Sequence, residues 1–159
     1  MTDKKQPELS PNPFSDNNDQ VDPVVSRACT PADMHILVVE SFSTMRRIIG
    51  NLLVELGYRY ISEAEDGLSA LPMLHNQRFD LVITDLQMPR MSGLELLRAI
   101  RADNKLAHIP VLMITADAKR EQIIEAAQAG VSAYVVRPFT AAILENKMLS
   151  IVGHLNDGR

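Results

Sequence analysis

The sequence predicts an α/β fold, a doubly wound parallel sheet of five strands built from five β–α units. Three observations carry that prediction. From residue 34 on, short β-rich apolar runs alternate with stretches of helical periodicity. Several of the runs lack polar alternation, as expected of strands covered on both faces. Crossovers between parallel strands are right-handed, which winds the helices onto both sides of one sheet.

The expected strands are Ile36–Val39, Tyr60–Glu63, Leu81–Thr84, Val111–Ile114 and Ala133–Val136. After the first, Met45, Ile48, Ile49, Leu52, Leu53 and Leu56 recur at helical spacing and predict an inward face. Gly57 ends that helix. The second helix spans about Leu68 to His75 and contains Pro72, which should kink or shorten it. The third is Gly93–Arg101, with Leu94, Leu97 and Ile100 inward, and the fourth is Lys119–Ala129, closed by Gly130. The fifth starts at Ala141 and runs to Val152 or slightly beyond.

Residues 1–33 read differently. Five of the nine prolines lie there (Pro7, Pro11, Pro13, Pro23 and Pro31), with six acids and three bases. Such a stretch buries too little apolar area to offset its ordering entropy, so a disordered tail is expected. A docking peptide anchored by Phe14 and Val24-Val25 is the alternative. The folded domain is expected over 34–155, with a short end at 156–159.

Composition narrows the function. The net charge of −4 argues against a generally basic nucleic-acid surface. Cys29 is the only cysteine, so no internal disulfide forms. His35, His75, His108 and His154 are too far apart in sequence to suggest a zinc site. No apolar signal core and no run of ~18 apolar residues occurs, so the expected compartment is the cytoplasm, without membrane insertion.

In an open α/β sheet, ligands bind beyond the carboxyl ends of the strands, near the switch point in strand order. The first strand runs into Glu40-Ser41, the third into Asp85-Leu86-Gln87, the fourth into Thr115-Ala116 and the fifth into Arg137-Pro138. The second ends in Glu63-Ala64-Glu65-Asp66, which reads as more surface-like. Two carboxylates, two hydroxyls and a guanidinium on one rim suit phosphoryl chemistry. A hard cation such as Mg²⁺ takes carboxylate and carbonyl oxygens, and a carboxylate can accept a phosphoryl group. A hydroxyl and a cation can hold the phosphoryl oxygens. Taken singly, each residue has a plainer reading: Asp85 a turn former, Ser41 a helix cap, Thr115-Ala116-Asp117 a helix start, Arg137 a surface residue.

The stretches LVVESFSTMRRII, EAEDG, VITDLQMPRMSGLELLRAIRAD, PVLMITADAK and AAQAGVSAYVVRPFTAAILE resemble the receiver domain of two-component response regulators. The resemblance covers about residues 34–152 and is greatest to single-domain chemotaxis regulators of the CheY type. It implies the flavodoxin-like (βα)5 receiver fold and a phosphoprotein rather than an enzyme, with at most slow autodephosphorylation. Asp85 would accept a phosphoryl group from a histidine kinase, with Mg²⁺ at Glu40, Asp85 and the backbone carbonyl of Gln87. Thr115 would approach the phosphoryl group and Tyr134 would change rotamer. The residue preceding a usually cis proline, here Arg137, would contact the phosphoryl group. The surface of the fourth helix, fifth strand and fifth helix would bind a protein target, the flagellar motor switch in chemotaxis members.

Three departures stand out. The family's acidic pair is Glu40-Ser41 here, so Ser41 is a weakened ligand position and Mg²⁺ binding should be weak. Arg137 replaces the usual lysine; it could hold the phosphoryl group, or lie across Asp85 and Glu40 in the metal's place. Gln87 stands where chemotaxis members commonly carry asparagine. The alternative function is a degenerate receiver acting as a phosphorylation-independent binding module. A flavodoxin-like electron carrier would need a glycine-containing phosphate loop where the chain has ESFSTMRR, and a dehalogenase-type phosphatase would place Asp-x-Asp after the first strand. Only Gly153–Arg159 follow the fifth helix, too few for a DNA-binding domain. Arg46-Arg47 reads as a solvated or protein-contact pair, and Lys119-Arg120 as the better candidate for a target contact.

Overall fold

The computed structural model describes residues 31–116 and 119–157. Five parallel strands form one sheet: β1 (His35–Val39), β2 (Tyr60–Ala64), β3 (Leu81–Thr84), β4 (Val111–Thr115) and β5 (Ala133–Val136), in the order β2-β1-β3-β4-β5. The helices are α1 (Ser43–Glu55), α2 (Gly67–Asn76), α3 (Gly93–Ala102), α4 (Arg120–Ala129) and α5 (Ala141–Asp157). The predicted five β–α units are all present.

The unbroken apolar strands arise because both faces of the sheet are buried. Ile36 and Val38, Leu81 and Ile83, and Leu112 and Ile114 pack with Ile49 and Leu53 of α1 and Leu144 and Met148 of α5. Their neighbours Leu37, Val39, Val82, Val111 and Met113 pack on the other face with Leu74 of α2, Leu97 of α3 and Ala126 of α4. Alternate residues serve opposite cores, so neither face can be polar.

Local signals set most boundaries. Ser92 and Glu95 form a reciprocal capping box at the start of α3. Gly130 closes α4 with a left-handed backbone, φ 95°.

Several expectations are corrected. Pro72 does not cut α2 short, and the helix continues to Asn76. Only the backbone bond to the carbonyl of Leu68, a surface residue, is forfeited. In α3 the most buried positions are Leu96, Leu97 and Ile100, whereas Leu94 is only half-buried. In α1, Ile48 is 44% exposed, because it borders a groove of about 260 Å³ lined by Met45, Leu52, Arg137, Pro138 and Phe139.

The segment assigned to a tail lies outside the described residues except for its end. There Pro31–Asp33 forms one turn of 3₁₀ helix and Met34 is fully buried, which ties the chain down ahead of β1. At the other end α5 reaches Asp157. Among the described residues no helix is long and apolar enough to cross a membrane.

Candidate phosphoacceptor site

The strand order reverses at the junction of β1 and β3. Val39 pairs with Thr84 there, so the residues that follow, Glu40 and Asp85, leave the sheet side by side. The amide of Asp85 donates to the carbonyl of Val39 (3.1 Å) and the amide of Glu40 to that of Ala64 (3.0 Å). Both carboxylates are buried, with Glu40 1% and Asp85 3% exposed.

Each carboxylate is oriented by backbone. Oε2 of Glu40 accepts from the amide of Phe42 (3.0 Å), and Oδ1 of Asp85 from the amide of Leu86 (2.7 Å). Burial pushes the Glu40 carboxyl above its ordinary range. The Phe42 amide opposes that shift, the charge of Asp85 adds to it, and Arg137 and Arg46 oppose it. The hydroxyl of Thr84 donates to the carbonyl of Asp85 (2.9 Å). Gly93 packs against the same carbonyl so closely that a Cβ there would lie 1.9 Å from it. Its own amide donates to the carbonyl of Leu86 (2.8 Å). The loop after β3 can fold back only because this residue lacks a side chain.

Arg137 reaches the pair from the end of β5, across β4. Its amide donates to the carbonyl of Thr115 (2.8 Å), and the Arg137-Pro138 bond is cis. Nη1 lies 3.8 Å from Oε1 of Glu40 and Nη2 lies 3.3 Å from Oδ2 of Asp85. Of the two placements open to this arginine, the guanidinium takes the one across both carboxylates. Thr115 is fully buried at the end of β4. Tyr134 lies on β5, half-buried against the core shared with α3 and α4.

Ser41 follows Glu40 but does not cap α1; the N-cap is Phe42, without a side-chain cap bond. Its plainer explanation as a helix cap is therefore removed. Gln87 is exposed two residues after Asp85, and Lys119 and Arg120 are exposed at the start of α4. Exposed apolar side chains also occur on these elements: Ile123 and Ile124 on α4, Val136 on β5, Ile143 and Leu149 on α5.

Two supporting pairs were not singled out from the sequence. Arg46, read as surface, donates to the carbonyl of Glu40 (2.7 Å) and pairs with Glu63 (2.9 Å). Asp66, in the segment read as surface-like, is buried, caps α2 through the amide of Ser69 (2.8 Å) and accepts from Nε of Arg90 (2.8 Å). Arg90 adopts φ 66°, unusual for a non-glycine residue, in the loop after β3. An Asp just before an apolar-periodic stretch, with Gly after it, was an available capping signal.

Glu40, Asp85 and a backbone carbonyl of the following loop are the right donors for a hard divalent cation, which commonly takes one or two carboxylates and keeps several waters. Among the described residues no group of three or more His, Cys, Asp or Glu could hold a metal. The donor set fits Mg²⁺ in kind.

The model of the response regulator receiver domain matches residues 36–149. The chain belongs to that family. It is 60% identical over 123 residues to the chemotaxis protein CheY of Pseudomonas aeruginosa, covering 77% of this chain and 99% of that protein. It is 61% identical to CheY-3 of Vibrio cholerae, covering 77% and 95%. Among solved structures, CheY4 of Vibrio cholerae is similar at a TM-score of 0.69 and 29% identity, over 74% of this chain and 98% of that one. The receiver domain of a Pseudomonas aeruginosa sensor histidine kinase, solved with magnesium coordinated in its active-site cleft, is similar at 0.69 and 30% identity, over 76% and 98%. The receiver therefore has the predicted flavodoxin-like fold with close chemotaxis relatives.

Proposed function

We propose that this receiver accepts a phosphoryl group on Asp85 from a histidine kinase and passes the signal to a protein target in chemotaxis, the flagellar motor switch. The observation that carries this reading is the buried Asp85 carboxylate at the switch point, beside Glu40 and Arg137. In the transfer, an Asp85 oxygen attacks phosphorus while the bond to the kinase imidazole breaks, and the electron pair leaves with the imidazole. Oδ1 is held by the Leu86 amide, so the carboxylate is oriented before the donor arrives. Arg137 and the Thr115 hydroxyl would receive the phosphoryl oxygens. Mg²⁺, held by Glu40, Asp85 and the Gln87 carbonyl, would neutralise charge on the transferring group.

Tyr134 would couple the site to the exposed face of α4, β5 and α5, where Lys119 and Arg120 add positive charge to an apolar patch. Its role is signalling in the cytoplasm, not turnover of a substrate. The test is phosphotransfer from a labelled chemotaxis histidine kinase to wild-type protein and to Asp85→Asn. Label should pass to the wild type and not to the variant. Equal labelling of both, or of neither, defeats the proposal, and the second result favours a phosphorylation-independent binding module.

A further inference from the structure

An apolar groove of about 260 Å³ lies between α1 and the segment after β5. Met45, Ile48 and Leu52 line it from α1, and Arg137, Pro138 and Phe139 from that segment. Pockets that hold a drug-sized ligand measure roughly 300–1,000 Å³, so this smaller one suits a single large side chain. A thioether, a phenyl ring and a guanidinium in the lining each favour an aromatic occupant. The chain carries one ahead of its described part: Phe14 is the single aromatic among residues 1–30. Val24-Val25, the apolar pair in the same segment, has no ring to offer. The chain also enters the fold on the right face. Met34 is fully buried in the core that the sheet shares with α1 and α5, and Met45, Leu52 and Phe139 pack against that same core. From the start of β1 the groove lies roughly 16 Å along the strand and roughly 14 Å across three strand spacings. Residues 15–30 can span about 50 Å when extended, so Phe14 reaches the groove with slack. Pro11 and Pro13 restrict the backbone just ahead of Phe14, which lowers the ordering cost of docking.

We infer that the N-terminal segment docks on this groove through Phe14 and restrains access to the rim beside it. Arg137 belongs to the groove's lining, and its Nη2 lies 3.3 Å from Oδ2 of Asp85, so an occupant of the groove stands next to that carboxylate. A protein donor of phosphoryl groups must approach across the occupant. This consequence rests on the reading of Asp85 as phosphoacceptor; the docking itself does not. The tether supplies Phe14 to the groove at an effective concentration in the mM range. One buried side chain then gives partial occupancy, a brake rather than a block. A groove filled about half to two-thirds of the time slows transfer about two- to threefold.

The test compares the full chain with its Phe14→Ser and Ile48→Glu variants by nuclear magnetic resonance. Phe14→Ser should shift the Met45 methyl and the Ile48 and Phe139 amides. Ile48→Glu, at a position already 44% exposed, should in turn shift the Phe14 amide. Replacing Val24 and Val25 with Ser should leave the groove signals in place. Groove signals identical in wild type and Phe14→Ser overturn the inference. Shifts that fade on about tenfold dilution assign the groove to a second copy of the chain and overturn it as well. Label from a chemotaxis histidine kinase should reach Phe14→Ser about two to three times faster than wild type, and equal rates would remove the brake. No label on either protein defeats the assignment of Asp85 instead, and the spectra then decide the docking by themselves.

Discussion

At the scale of single residues, the proposed site turns on Ser41 and Arg137. Ser41 does not cap α1, so nothing in helix formation requires it. An acid there should supply a further anionic ligand: Ser41→Asp is expected to tighten Mg²⁺ binding about tenfold. An unchanged affinity in the same titration would show that the ligand count is not what limits the metal. The residue types at the rim were legible in the sequence, because strand ends in a doubly wound sheet have a fixed destination. The placement of Arg137 was not. Contacting the phosphoryl group and bridging the acids are compatible with the same sequence, and only the distances to Glu40 and Asp85 separate them. Arg46 was misread for a similar reason: an Arg-Arg pair at a helix start looks solvated until the carbonyl of Glu40 is found within reach.

Among the elements, the loop after β3 and the start of α2 support the site together. Asp66 caps α2 and grips Arg90, whose left-handed backbone shapes that loop. A Cβ on Gly67 would lie 2.6 Å from the side chain of Met91, so the two segments are in close contact. Burial alone would raise the Asp66 carboxyl, but the Ser69 amide and the Arg90 guanidinium outweigh it and hold it below its ordinary value of 3.8. A depressed acid stabilises the fold above its unfolded pKa, and that stability is lost as pH falls through the folded value. Asp66→Asn keeps a capping oxygen and removes the charge. It should lower stability at neutral pH by about 1–2 kcal/mol, with the deficit closing only at a pH below 3.8. Chemical denaturation of both proteins across pH checks this; a deficit independent of pH would mean the ion pair contributes nothing. The strands were read to within one residue at each end, and in β1, β3 and β4 burial on both faces leaves an unbroken apolar signature. Helix faces were less legible: periodicity names a stripe, and Ile48 at its edge is exposed beside the groove that Phe139 borders.

Over the whole molecule, the sheet brings the phosphoacceptor rim and the α4–β5–α5 face within one rigid frame. β5 belongs to both, carrying Tyr134 on the strand and Arg137 just beyond it. Ile124, Val136, Ile143 and Leu149 are exposed on α4, β5 and α5, and Lys119-Arg120 stand at the start of α4. Positive charges at a helix N-terminus oppose the helix dipole, so their presence there is not explained by helix stability. Replacing both with Glu should weaken binding to the proposed protein target about tenfold and leave phosphorylation of Asp85 unchanged. Target affinity and labelling measured on the same preparation separate the two effects. The fold and the rim were legible because they follow from strand order, whereas partner surfaces depend on which side chains remain uncovered after packing. The account turns on the chemistry of Asp85, and intact mass measured after incubation with acetyl phosphate and Mg²⁺ tests it most directly. It predicts an added mass of one phosphoryl group, mapped to Asp85 and absent from Asp85→Asn; no adduct at any time point, even at high Mg²⁺, would contradict it.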